Sequence, residues 1–265
     1  RKAVVLFVDT FNGTFESENA ASAARVLAAG GYRVHVLPAG RGHPCCGRTY
    51  LSLGMVERAR EKLKDLLLAL DEFACRGVPI IGLEPSCLFT LRDEALVMGL
   101  GESARRVAAH AFLFEEFLAA EARAGRYAPK LHAADRPILV HGHCHQKAFG
   151  AVPALLEVLR LIPNATPELI ESSCCGMAGS FGYEARHHEI SMQMAELSLL
   201  PAIRSSPQAI VVADGTSCRH QIRDGAGREA LHCARLLDLL TAPRTDASIR
   251  DSSGSLRSPG ELPAR

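Results

Sequence analysis

Short apolar runs alternate along this chain with longer stretches whose apolar positions recur at helical spacing. The runs at 3–9, 33–37 and 78–83 predict buried strands. The periodic stretches at 17–29, 55–75, 85–98 and 111–124 predict helices, the first of them ended by Gly30-Gly31. A loop rich in Gly and Pro fills 38–44. The order then begins again, with strands predicted at 137–141, 168–171 and 209–213 and helices at 153–161, 184–200 and 230–240. Continuous apolar strands alternating with helices are the mark of an α/β protein with parallel sheets, whose strands are buried on both faces.

The restart is an internal repeat. Cys45-Cys46-Gly47 returns as Cys174-Cys175-Gly176, 129 residues on, and Glu84-Pro85-Ser86-Cys87 returns as Gly215-Thr216-Ser217-Cys218, 131 residues on. The strand ends at Asp9 and Cys144 differ by 135. Three landmarks in order at nearly constant offset, each after a strand, indicate two pseudo-symmetric copies of one βαβ-type module. The expected organisation is a first module over 1–130, a second over 131–240, and a tail over 241–265. That tail holds Ser and Pro without apolar periodicity, which predicts disorder.

The second copy spaces its cysteines as Cys144, 29 residues, Cys174-Cys175, 42 residues, Cys218. Each follows a predicted strand, at the carboxyl edge where open parallel sheets build their sites. Four thiolates drawn from three loops suit an iron–sulfur cluster, because soft sulfur ligands match iron and neighbouring thiolates can bind different irons. Gly47 and Gly176 would let backbone approach such a group closely. Zinc, thiol redox chemistry, a strained vicinal disulfide and inert cysteines remain open on these residues alone. The paired C-x-x-C of zinc ribbons and of thioredoxin-type sites is absent.

Composition narrows the field. Nine cysteines in 265 residues are too sparse for a disulfide scaffold, which points to a reducing, cytoplasmic compartment. Cys75 and Cys233 lie in helical runs and read as small buried hydrophobes. A net charge of +1 and no Trp argue against nucleic acid as a partner. No apolar run is long enough to span a membrane, so at most peripheral membrane association is expected. The missing initiator Met fits a chain that starts partway through a longer protein.

The segments 43–48, His-Pro-Cys-Cys-Gly-Arg, and 173–182, Ser-Cys-Cys-Gly-Met-Ala-Gly-Ser-Phe-Gly, resemble the cysteine-rich CCG domain family. The phrases at 143–147 and 214–221 strengthen the likeness, which covers 3–240. That family includes the B component of heterodisulfide reductase, the C component of anaerobic glycerol-3-phosphate dehydrogenase and the iron–sulfur subunits of glycolate and lactate oxidation systems. The likeness is strongest to the C-terminal region of fused FAD-linked oxidases. It implies an oxidoreductase part that relays electrons from FAD, on an upstream domain or partner subunit, to an acceptor during oxidation of a 2-hydroxy acid of the lactate, glycolate or 2-hydroxyglutarate type. It also implies a ferredoxin-like iron–sulfur partner domain and one 4Fe-4S cluster on Cys144, Cys174, Cys175 and Cys218. Cys45, Cys46 and Cys87 would be a degenerate metal-binding counterpart that holds a labile cluster, shares ligands or binds nothing. A thiol–disulfide enzyme acting at the cluster, or a zinc-holding structural module, are the alternatives.

This sequence departs from the family pattern. The early cysteine of the first copy is replaced by Asp9 or Asn12, and the positions three past Cys87 and Cys218 hold Thr90 and Gln221. Among the histidines, His143 and His145 are expected to lie nearest the metal ligands, behind the first layer of contacts. Arg48, Lys147 and Arg219 flank the motifs and would offset the negative charge of a cluster.

Overall fold

The structure is a computed structural model that describes residues 2–37 and 45–241. The loop read at 38–44, which includes His43 and Pro44, lies outside the described residues. So does the tail read as disordered, except for Thr241, which ends the last helix.

Among the described residues, eight strands form two all-parallel sheets. The first joins β1 (Ala3–Phe7), β2 (Arg33–Val36), β3 (Ile80–Gly82) and β4 (Ala111–Leu113) in the order β2-β1-β3-β4. The second joins β5 (Ile138–His141), β6 (Glu168–Leu169), β7 (Ile210–Ala213) and β8 (Ala230–Leu231) in the order β6-β5-β7-β8. The same topology occurs twice, as the repeated motifs predict.

Four helices fill the space between the sheets. Ser17–Ala29 packs on Cys233–Thr241, and Phe114–Arg123 packs on Val152–Leu159, so each pair takes one helix from each half. Val4, Leu6, Leu27, Leu118, Val140, Leu155, Val212 and Leu236 share this one core. Burying apolar area at roughly 25 cal/mol per Å² makes this shared layer the main force holding the halves together. Helices Val56–Ala74, Pro85–Arg92 and Gly101–His110 cover the outer face of the first sheet. Leu199–Ser205 and Thr216–Ala226 cover that of the second.

Several elements differ from the sequence reading, and the differences have a common cause. The helices read at 111–124 and 230–240 each begin as a strand, β4 and β8, that passes into the helix within a residue or two. So short a strand leaves no break in the apolar pattern. The stretch at 85–98 breaks at Asp93 into Pro85–Arg92 and Glu94–Val97. The stretch at 184–200 is two helices, His188–Glu196 and Leu199–Ser205, after a 3-10 turn at Phe181–Tyr183. Helices Thr10–Thr14, Arg48–Ser52 and Cys144–Ala148 are too short to show a period. The longer Gly101–His110 and Thr216–Ala226 carry mostly polar sequence.

At the carboxyl edges of the sheets the halves meet through buried polar groups. Glu84 caps a helix of each half, accepting from Ser86 Oγ at 2.8 Å and from the Thr216 amide at 2.9 Å. Gln146 Nε2 donates to Asp214 at 2.9 Å and also to Glu115. His232 accepts from the Ala234 amide through Nδ1, so its Nε2 donates to the Leu83 carbonyl at 3.1 Å. Arg219 is buried and ion-paired with Glu16 of the first half, its Nε lying 2.8 Å from Oε1. Burial alone would raise the Glu16 carboxyl, but the hydrogen bonds from Arg219 outweigh it and hold the group below its usual value.

Removing Glu16 would leave the Arg219 guanidinium buried without its carboxylate. We expect Glu16→Ala to cost about 3 kcal/mol in urea unfolding at pH 7. The lowered carboxyl value makes this pair's contribution complete above the usual glutamate range and lost as pH falls through the lowered value. The stability difference between wild type and Glu16→Gln should therefore shrink on acidification.

Candidate metal centre

Each half builds its thiol group from the same three local devices. The first is a glycine after the cysteine pair. Gly47 and Gly176 both adopt left-handed backbone, with φ of 79° and 92°. Each donates its amide back to the sulfur of the first cysteine of its pair, Cys45 or Cys174, at 3.4 Å. A side chain has no room at either place. A Cβ on Gly47 would lie 2.7 Å from the Ala59 carbonyl oxygen, and one on Gly176 would collide with that of Ser191. The pair is thus pressed onto the backbone of a following helix, Val56–Ala74 in one half and His188–Glu196 in the other.

The second device is a short helix after the first strand of each sheet. Asp9 caps Thr10–Thr14, its Oδ1 accepting from the Phe11 and Asn12 amides at 2.9 and 3.2 Å. His143 caps Cys144–Ala148, its Nδ1 accepting from the His145 amide at 3.1 Å. The third is the helix after the third strand, which presents Cys87 from Pro85–Arg92 and Cys218 from Thr216–Ala226.

In the second half these devices bring all four expected cysteines together. Cys144, Cys174 and Cys175 line one cavity, Cys174 packs against the cluster that holds Cys175 and Cys218, and these last two sulfurs lie within 4.8 Å of one another. Cys175 and Cys218 are buried, whereas Cys144 and Cys174 are half-buried. Interactions between neighbouring sulfurs shift the thiols in alternating directions along this row. Those with the Cys144 and Cys175 thiols push Cys174 down, and that with Cys175 pushes Cys218 down. Cys144 and Cys175 are pushed up by those with Cys174. Four neighbouring sulfurs make an electron-rich group that suits a soft cation.

In the first half Cys45, Cys46 and Cys87 also form a continuous row. Hydrogen bonding to Cys46 and then burial push Cys45 up. Cys87 is pushed up to about 11: the Cys46 hydrogen bond lowers it, but burial and the Asp9 and Glu84 carboxylates outweigh that. The early position was expected at Asp9 or Asn12, but both are spent on structure. Asn12 Nδ2 donates to Asp9 at 2.7 Å, and its Oδ1 accepts from Asn19 at 2.9 Å. Asp9 shares the place of His143 as helix cap, so Thr10 stands where the second half has Cys144. The sequence reading misaligned the copies by one residue here.

His143 and His145 lie beside a cysteine sulfur as expected, and His141 joins them. His141 is fully buried and is the one that lies within 4.8 Å of both Cys175 and Cys218. Its Nδ1 is 3.0 Å from Ser172 Oγ, and Lys147 Nζ donates to that same hydroxyl at 3.2 Å. The second ring nitrogen, Nε2, lies across the ring from this contact. That Nε2 has no hydrogen-bond partner among the described residues. Its place as the last residue of β5, one turn before Cys144, was the available signal. His143 and His145 flank Cys144, with Nδ1 atoms 3.9 and 3.7 Å from its sulfur. Burial, reinforced by His143 and Arg48, lowers His145 to about 4 and keeps it neutral at pH 7.

The flanking cations are mostly occupied. Arg48 pairs with Glu94, Arg219 with Glu16, and Lys147 donates to the Ser173 carbonyl at 2.8 Å, just ahead of the cysteine pair. Cys233 is buried in the shared core as expected, but Cys75 is exposed, because it caps the end of a helix at the surface. A cavity of about 720 Å³ opens beside the second thiol row, with Phe11, Phe15 and Glu84 from the first half facing Cys144, Cys174 and Tyr183 from the second.

Residues 138–223, which hold this row, match the family model described as CCG, cysteine-rich domain. This segment is a CCG cysteine-rich domain. Over 237 residues the chain is 27% identical to D-2-hydroxyglutarate dehydrogenase of Escherichia coli K12, covering 89% of this chain and 22% of that protein. It is 28% identical over 194 residues to the C component of anaerobic glycerol-3-phosphate dehydrogenase of the same organism, covering 73% of this chain and 48% of that one. The D-2-hydroxyglutarate dehydrogenase of Pseudomonas putida KT2440 is 28% identical over 242 residues, again covering 22% of its length. The chain thus spans between about a fifth and a half of these relatives.

The close contact behind the cysteine pair of the CCG domain makes a direct prediction. Gly176→Ala should cost about 3 kcal/mol or more, from left-handed strain and collision with the Ser191 carbonyl. Gly150→Ala keeps the left-handed strain, with φ of 68°, but meets open space, so it should cost about 1 kcal/mol. Thermal unfolding of the two variants checks the difference.

Proposed function

We propose that the CCG domain holds one four-iron, four-sulfur cluster on Cys144, Cys174, Cys175 and Cys218, and that the chain is the electron-relay part of a flavin-linked 2-hydroxy-acid dehydrogenase. The observation that carries this reading is the continuous row of four thiols supplied by three separate loops. The donor set fits the group: four soft ligands, an adjacent pair suited to different irons, and a glycine that clears space behind them. The cluster would supply one-electron redox chemistry at the carboxyl edge of the second sheet. FAD would reside on another domain or subunit, with a ferredoxin-like domain between, in a reducing compartment such as the cytoplasm. The names of the relatives support a dehydrogenase of a hydroxylated substrate.

The chain's own residues would do three things. The Gly176 amide, donating to Cys174, steadies charge on that sulfur. Lys147 and Ser172 hold the His141 ring within reach of Cys175 and Cys218. His143 and His145 hold Cys144 between them and leave the outer side of the row facing the cavity. A hydrogen bond to a ligand sulfur raises reduction potential, so His141 would tune the site.

A second reading has its own support, since His141, Cys175 and Cys218 lie close enough together to hold zinc. Protein purified without oxygen decides between them. The proposal expects iron and acid-labile sulfide in equal amounts, both falling together in Cys174→Ser with Cys218→Ser. Zinc without sulfide would replace it with the second reading. His141→Phe should keep the metal content and shift the midpoint potential to more negative values, read by redox titration. An unchanged potential would remove His141 from the site.

A further inference from the structure

We propose that the cavity beside Cys144 and Cys174 is a binding site for a planar ring with two conjugated carbonyls, the chemistry that quinones and the flavin ring share. This rests on the reading that the CCG domain carries electrons, and it names the kind of molecule that would exchange them at the thiol row.

The size and walls of the cavity suit a small flat molecule. Its volume of about 720 Å³ falls within the range of ligand pockets, roughly 300–1,000 Å³. Both halves supply ring faces to it. Phe11 and Phe15 come from the first half, with ring centroids 6.5 Å apart and planes tilted by 33°. Tyr183 comes from the second, held by a hydrogen bond between its hydroxyl and His220. His143 and His145 add a stacked pair of rings 5.2 Å apart. Phe15 and Tyr183 are 68% and 58% exposed, although each half has an apolar core that could bury such rings. Large exposed rings gathered at one concave site mark a surface that a ligand covers, and aromatic walls stack on flat rings.

The charged groups choose among flat molecules. Among the described residues, the carboxylate that lines the cavity is Glu84. Its oxygens already accept from Ser86 Oγ and the Thr216 amide, at 2.8 and 2.9 Å, so it is not free to pair with a cationic ring. Two guanidiniums, Arg48 and Arg223, line the cavity as well. Arg48 pairs with Glu94 through one nitrogen, and Arg223 Nε lies 3.4 Å from Asp224. Each therefore keeps further N–H groups for an acceptor. Carbonyl oxygens supply that acceptor. A guanidinium also favours the negative charge that such oxygens gain when the ring takes up an electron. An aliphatic ligand could meet the same donors, but it would leave the ring faces without a partner.

The chain has no Trp, so Phe15→Trp puts a single indole at the cavity, whose emission a bound quinone or flavin quenches. The probes are tetramethylbenzoquinone, whose ring has no open carbon for a thiol to attack, and flavin mononucleotide. Each is titrated into the chain purified without oxygen, and circular dichroism confirms the fold of each variant. Quenching should saturate with at least one probe, and the probe that saturates identifies the source of the ring. Phe73→Trp, near the far end of the 19-residue helix Val56–Ala74, should show only the linear quenching of chance collisions. Added to Phe15→Trp, Tyr183→Ala should weaken binding about threefold to tenfold, and Tyr183→Phe should keep it within about twofold. Linear quenching of Phe15→Trp by both probes, or saturation unchanged by Tyr183→Ala, would overturn the proposal. Iron and sulfide assays on the same samples separate the two readings. Saturation in protein without sulfide would sink the cluster of the CCG domain and leave the cavity site standing. Linear quenching in protein that holds both would sink the cavity site alone.

Discussion

The site depends on how closely one glycine lies against the helix that follows it. Gly176 has no room for a side chain beside the Ser191 carbonyl, and its left-handed backbone turns the preceding cysteine pair toward the strand edges. With the pair fixed there, the first cysteine takes an amide hydrogen bond and the second is buried toward Cys218. The same constraint acts at Gly47 against Ala59. Two thiol rows follow from two repetitions of one packing contact.

The shared core sets where those rows sit. Because the four inner helices pack in pairs drawn from both halves, the carboxyl edges of the two sheets face one another across Glu84, Asp214, Gln146 and His232. Glu84 caps one helix of each half, and those helices carry Cys87 and Cys218. The cavity beside Cys144 and Cys174 takes walls from both halves for the same reason. A change in the seam would reach both rows.

Much of this was legible in the residues. The buried runs that became β1, β5 and β7, the helix Ser17–Ala29 and the repeated Cys-Cys-Gly each carry a strong local signal. The fourth strand of each sheet was hidden, because Ala111–Leu113 and Ala230–Leu231 pass into helices without a polar break. At the site the sequence reading found all seven thiols that converge, since cysteine is rare and its spacing repeats. It missed Thr10, because the copies differ in length between the strand end and the cysteine pair, and a threonine announces nothing. It ranked His141 behind His143 and His145, since only the fold shows that the strand-end position faces the buried sulfurs.

The halves are alike in backbone and unlike in chemistry: four thiols with an adjacent imidazole in one, three thiols with a hydroxyl and a phenyl ring in the other. The most direct test of the central claim is X-ray absorption at the metal edge of the protein purified without oxygen. The account predicts iron in a sulfur environment with a short iron–iron vector. Zinc in a mixed nitrogen and sulfur shell, with no metal–metal vector, would contradict it.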